Sequence, residues 1–219
     1  MSETKTLEIM ESVYARNEKL AVGLRETLSR RGVFCVNVMG APGAGKTTSI
    51  IRIIEMLGLS SYVIEGDIES DIDSRMLQAL GIHTTQINTG GACHLDAPVV
   101  ADALADTDFS DGFLFIENIG NLVCPAEFMI GEHVKMLISA VTEGSDKPYK
   151  YPLAFEKADI VLLNKCDLET YVDFDMAFFN EGIKKLNPNT PVFRVSGTTG
   201  EGFGEAVQWL LNKAKQVIV

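Results

Sequence analysis

One stretch constrains this chain more than any other: Gly40-Ala41-Pro42-Gly43-Ala44-Gly45-Lys46-Thr47, which satisfies every position of G-x-x-x-x-G-K-[ST]. Glycines let the backbone curl until its N–H groups converge on a β-phosphate. A helix starting at the end of the loop adds its positive dipole end. Such a loop needs a strand before it and a helix behind it. The apolar run 33–39 and the helical pattern 48–57, led by Thr48, supply both. In that setting Lys46 bridges the β- and γ-phosphates, and the Thr47 hydroxyl ligates Mg²⁺.

The rest of the chain repeats the rhythm that this motif demands. Short segments at 33–39, 62–65, 84–88, 113–117, 134–140, 160–164 and 191–196 read as strands, several of them nearly continuous apolar runs. Several lack polar alternation, as expected of a parallel sheet covered on both faces. Helical patterns fall between them at 48–57, 71–80, 96–105, 174–186 and 204–215. With 219 residues and 46% apolar content, the chain suits one large α/β domain. The expectation is a doubly wound, mostly parallel sheet of about seven strands over residues 33–219. Residues 1–32 read as an N-terminal amphipathic helix whose stripe is Leu7, Met10, Tyr14, Asn17, Ala21, Leu24 and Leu28. That stripe serves either to pack the helix on the domain's flank or to meet a dimer or other partner. The polar segment 143–152, with two prolines, reads as a loop.

A net charge of −11 argues against nucleic acid and against an anionic membrane surface as partners. Residues 1–12 are too polar for a signal peptide, and no apolar run approaches the length of a membrane span. Four cysteines in a chain of this size do not make a disulfide framework. The expected setting is cytoplasmic.

Two further patterns complete a nucleotide site. The apolar run 113–117 ends in Glu117 and continues Asn118-Ile119-Gly120, an E-x-x-G. Glu117 is placed for magnesium and the Gly120 N–H for sensing a γ-phosphate. Asp67, after the run 62–65, is a second carboxylate for the ion, or else an acid near a helix start. Asn164-Lys165-Cys166-Asp167 follows the run 160–163. The Asp167 carboxylate can accept both the N1–H and the 2-amino proton of guanine, a donor edge adenine lacks. Lys165 lies along the base plane, and Ser196-Gly197-Thr198 covers the O6 side. Lys46, Asp67, Glu117 and Gly120 are thus the candidate catalytic group for GTP hydrolysis.

Thr89-Gly90-Gly91-Ala92-Cys93-His94-Leu95-Asp96-Ala97 precedes a helix, and Cys124 follows the E-x-x-G. Two thiols and an imidazole suit a borderline-soft divalent metal. A thiol at a helix start also occurs without any metal, and the spacing leaves both readings open. Cys35 reads as core, Cys166 as the free position of N-K-x-D, and His83 and His133 carry no assignment.

Gly40 to Thr48, Glu65-Gly66-Asp67, Thr89 to Ala97 and Glu117-Asn118-Ile119-Gly120-Asn121-Leu122-Val123-Cys124-Pro125 together resemble the HypB family of hydrogenase nickel-incorporation GTPases. The resemblance runs from Leu7 onward. It implies a SIMIBI-like P-loop GTPase that helps load nickel into the large subunit of [NiFe] hydrogenase with other maturation proteins. It implies that Cys93, His94 and Cys124 hold Ni²⁺ or Zn²⁺ at a GTP-dependent homodimer interface. Residues 1–32 contain neither the cysteine-rich nor the histidine-rich stretch of some members. High-affinity nickel binding and storage there are therefore not implied. Pro98 and Asp102 stand where some relatives have further histidines. Ala41 replaces a lysine of some dimerising relatives and no arginine finger is visible, so turnover is expected to be slow, about 10⁻⁴ to 10⁻² s⁻¹. Rival readings are a small-molecule kinase, a GTPase chaperone for another metal or cobalamin enzyme, and a GTP-gated scaffold with structural cysteines.

Overall fold

The computed structural model describes residues 3–67 and 72–218, with side chains from residue 13. A long helix, α1 (Glu3–Arg30), leads into β1 (Val33–Gly40) and α2 (Lys46–Leu57). Next come β2 (Ser61–Asp67), α3 (Ile72–Ala79), β3 (His83–Asn88), α4 (Ala97–Ala105) and β4 (Gly112–Glu117). The second half runs α5 (Cys124–Glu127), β5 (Val134–Ala140), α6 (Lys147–Lys150), α7 (Pro152–Lys157), β6 (Ile160–Asn164), α8 (Met176–Leu186), β7 (Val192–Arg194) and α9 (Phe203–Val217).

Seven strands form one sheet in the order β3-β2-β4-β1-β5-β6-β7. Every pairing is parallel, where the sequence suggested only a mostly parallel sheet. Strand residues alternate between the two faces. On β1, Phe34, Val36 and Val38 join a core with α2, α3 and α9, while Val33 and Cys35 face α1 and α4. A third cluster packs α7 and α8 on β5 and β6. β1 and β5 are buried along their whole length, which explains why they are mostly apolar, with Asn37, Lys135 and Ser139 as buried polar exceptions.

The winding reverses at β1. From β1 the chain moves through α2 and α3 to the β3 edge, then returns through α4 and crosses to β5. The carboxyl end of such a strand opens into a crevice where open α/β sheets bind ligands. The phosphate loop leaves β1 at that end.

All seven predicted strands are present, and β7 is shorter than the run 191–196. The segment 143–152 is not a loop. A 3-10 turn, α6 and the start of α7 occupy it, because Pro148 and Pro152 stand in the first turns of their helices, where proline is tolerated. α1 lies against β1 and α4. Of its stripe, Asn17, Ala21 and Leu28 are buried. The side chains of Leu7 and Met10, and Asp71 at the predicted helix start, lie outside the described residues. Among the described residues no helix is long and apolar enough to cross a membrane.

Candidate functional site

Gly43 and Gly45 of the loop have positive φ, 75° and 93°. Gly45 is also hemmed in, since a Cβ there would collide with Asn164 Nδ2. Asn164 donates to the Ala44 carbonyl at 2.9 Å and accepts from the N–H groups of Lys165 and Gly197 at 2.8 and 3.0 Å. One side chain thus pins the phosphate loop, the N-K-x-D turn and the Ser196-Gly197-Thr198 loop together. Lys165 takes φ 60° and donates from Nζ to the Gly43 carbonyl at 2.6 Å. The Ser196 hydroxyl donates to Asp167 Oδ1 at 2.6 Å. Arg52, on α2, donates to the Gly197 and Thr198 carbonyls at 3.0 and 3.3 Å. Thr48 packs beneath Gly197.

Beside the loop lie adjoining cavities of about 320 and 350 Å³ that share Gly43, Lys46, Asp73 and Glu117 in their walls. Glu117 accepts from the Thr47 hydroxyl at 3.0 Å, and Lys46 Nζ stands 4.0 Å from it. The other carboxylate oxygen of Glu117 is buried without a hydrogen-bond partner. A buried oxygen lacking a donor, next to the Thr47 hydroxyl, fits a hard divalent cation such as Mg²⁺. Asp67 closes β2 and lines the first cavity, so it stands at the strand end rather than at the start of α3. Gly120 packs on Pro42, where a Cβ would meet proline Cγ at 2.8 Å. Gly40 also bridges to Asn121. The E-x-x-G segment therefore lies directly on the phosphate loop.

Burial pushes the Glu117 carboxyl up from 4.5 to about 7, against the pull of Lys46 and the Thr47 hydroxyl. An acid raised on folding contributes stability that is full below its unfolded value and is lost as pH rises through the folded one. Glu117→Gln removes that cost. It is expected to stabilise the nucleotide-free protein by about 3 kcal/mol at pH 8, shrinking to about 1 kcal/mol at pH 5.5. Urea midpoints at the two pH values check this, and an equal gain at both would mean that Glu117 does not titrate as a buried acid.

The structure brings Cys93, His94 and Cys124 together, with one ligand atom from each lying within 4.8 Å of the others. Cys93 Sγ is 3.2 Å from Cys124 Sγ and 3.4 Å from His94 Nδ1. The hydrogen-bonded Cys124 thiol, with slight desolvation, pushes the exposed Cys93 thiol up, and burial pushes the imidazole of His94 down. His94 stacks on Phe128 at 4.2 Å. Cys35 is buried and Cys166 sits in the N-K-x-D turn, both away from the cluster. His133 accepts the Cys35 N–H at its Nδ1 and meets the Ser29 hydroxyl at 2.9 Å. Burial holds that imidazole down at about 4, a neutral bridge between α1 and the sheet.

Sequence reasoning missed several participants. Asp73 lines both cavities, but a first-turn acid on a helix looks like an ordinary dipole partner. Asn118 accepts from the Leu95 N–H at 3.1 Å, and Asn121 donates to the Cys93 carbonyl at 3.1 Å. Both lay in plain view in E-N-I-G-N, yet only the fold reveals that they reach the Cys93-His94 limb. Lys135 is nearly buried and donates to the Ala126 and Phe128 carbonyls at 3.0 and 2.9 Å, with Glu132 at 3.6 Å.

The family model described as "CobW/HypB/UreG, nucleotide-binding domain" matches residues 34–194. The hydrogenase maturation factor HypB of Azotobacter vinelandii is 44% identical over 213 residues, covering 96% of this chain and 70% of that protein. This chain belongs to the HypB family. The HypB structure from Helicobacter pylori, solved in complex with nickel, superposes with a TM-score of 0.87 at 33% identity, covering 93% of this chain and 97% of that one. HypB from Archaeoglobus fulgidus gives 0.84 at 37%, covering 91% and 99%. The HypB likeness thus spans the phosphate loop, the N-K-x-D turn and both limbs of the cysteine–histidine cluster.

Proposed function

We propose that this HypB-family chain binds and slowly hydrolyses GTP, and that its nucleotide state controls a thiolate–imidazole site delivering nickel to the large subunit of [NiFe] hydrogenase. Zn²⁺ is the other ion the donor set suits. Gly40, Ala41, Pro42, Gly43, Ala44, Gly45, Lys46, Thr47 and Thr48 cradle the phosphates. Asn164, Lys165, Asp167, Ser196, Gly197 and Thr198 take the guanine. Thr47, Glu117 and Asp67 are the residues that hold Mg²⁺, which neutralises charge on the transferring phosphoryl group when bound. A cytoplasmic setting, where thiols stay reduced, keeps Cys93 and Cys124 open to metal.

The observation that carries this reading is the shared segment. Cys124 follows Gly120 on one stretch of chain, and the same stretch holds the opposite limb through Asn118–Leu95 and Asn121–Cys93. A rearrangement of Gly120 on loss of the γ-phosphate therefore pulls on every ligand of the cluster. This is the loaded-loop switching that GTPases use. Cys93, His94 and Cys124 would leave a four-coordinate ion one ligand short, and a second copy of the chain in the GTP form would supply it.

Linkage tests it. The factor by which GTP changes Ni²⁺ affinity must equal the factor by which Ni²⁺ changes GTP affinity, expected at about 5- to 150-fold. Calorimetric Ni²⁺ titrations of the GDP and GTP-analogue forms, with mass followed by light scattering, measure both. Equal Ni²⁺ affinities at matched oligomeric state would leave two independent sites and defeat the reading.

A further inference from the structure

Asn17 is a polar residue in the middle of the apolar stripe of α1, and it is 7% exposed. A buried carboxamide is costly unless both of its ends are bonded. Both are. Asn17 Nδ2 donates to the Met129 carbonyl at 2.8 Å, and its Oδ1 accepts the Ala97 N–H at 2.9 Å. These two backbone atoms belong to different limbs of the cysteine–histidine cluster. Ala97 is the first residue of α4, close behind Cys93 and His94, and Met129 follows the short helix that Cys124 begins.

We propose that Asn17 is a positioning residue for the cysteine–histidine cluster, its carboxamide fixing the Cys93-His94 limb against the Cys124 limb. The proposal rests on Cys93, His94 and Cys124 acting as metal ligands. The first N–H groups of a helix have no partner within it. Asp96 caps the Val99 N–H of α4, and Asn17 satisfies the Ala97 N–H, so α1 helps set how α4 starts and hence where His94 emerges. One turn earlier on α1, Tyr14 reinforces the other limb. Its hydroxyl donates to Glu127 at 3.1 Å, and its ring stacks on Phe128 at 4.9 Å. Phe128 in turn stacks on the His94 ring at 4.2 Å. The ligand atoms are thereby held close before any ion arrives, and a site arranged in advance loses less ordering entropy on binding.

Co²⁺ alone, titrated into the full chain, is the probe, because thiolate-to-cobalt charge-transfer bands count the sulfur ligands. The expected result for Asn17→Ala is a 10- to 100-fold loss of Co²⁺ affinity and weaker charge-transfer absorption per bound ion. GTP affinity should stay at the wild-type value. Leu210→Ala, which destabilises the separate core on the α2 and α9 side of the sheet, should leave the Co²⁺ spectrum unchanged. Wild-type Co²⁺ affinity and spectrum in Asn17→Ala would overturn the proposal, as would an equal loss in Leu210→Ala. Should Asn17→Ala fail to fold, Tyr14→Leu carries the test: a reduced charge-transfer band supports the brace and an unaltered one overturns it. If the wild type shows no thiolate bands, or Cys93→Ala keeps them all, the metal assignment itself falls and takes the proposal with it. That failure is distinct from an intact site indifferent to Asn17.

Discussion

Replacing Asp167 with Asn is expected to lower GTP affinity by about 10²- to 10⁴-fold and to create affinity for xanthosine triphosphate. The carboxylate accepts two donors from guanine, and a hydrogen bond to a charged group contributes about 1.5–3 kcal/mol. An Asn amide offers one acceptor and a donor, which repels the 2-amino group and matches the 2-oxo group of xanthine. The substitution is gentle on the fold, since the Ser196 hydroxyl that donates to Asp167 Oδ1 can donate equally to an amide oxygen. Competition between fluorescent GTP and unlabelled XTP reads both changes. Unchanged GTP affinity without any gain for XTP would remove Asp167 from the base site.

Cys93→Ala and Cys124→Ala are each expected to weaken Ni²⁺ binding by more than about 100-fold, because the loss of a mere outer-shell partner already costs 10- to 100-fold. GTP binding by the isolated chain should be nearly untouched, since neither sulfur lines the cavities beside the phosphate loop. The wild-type affinity should fall as pH drops, because protons compete for the thiolates and for His94. Cys35→Ala is the control, buried in the sheet on the α1 side, and should leave the metal untouched. Equilibrium dialysis at several pH values separates these outcomes. A site insensitive to both Cys93 and Cys124 would return the cluster to the reading of thiols without metal.

Motifs whose chemistry depends on contiguous residues were legible in the sequence. The phosphate loop, E-x-x-G and N-K-x-D each follow a strand in the structure, because each needs the strand end to aim it. The central strands were legible too, since burial on both faces makes β1, β5 and β6 mostly apolar, whereas the edge strand β3, His-Thr-Thr-Gln-Ile-Asn, is only partly buried. What stayed hidden depends on distance in sequence. Arg52 lies in the helical pattern 48–57 with no assigned role, yet it holds the Gly197 and Thr198 carbonyls. Asn17 reads in the sequence as one more member of the mostly apolar stripe of α1, with no role of its own. The short helices α5, α6 and α7 left no periodic trace, since one turn is too brief to show a repeat.

The buried Lys135 ammonium has a further consequence for motion. By gripping the Ala126 and Phe128 carbonyls it fastens the lower end of the Cys124 segment to β5, while the upper end is continuous with β4 at Glu117. A strand of chain moored at both ends cannot swing away like a flap. Between the moorings it is tied again at Asn121, which bridges to Gly40 and donates to the Cys93 carbonyl. The segment is thus a short cord made fast at both ends, with the Cys124 sulfur close to its lower mooring.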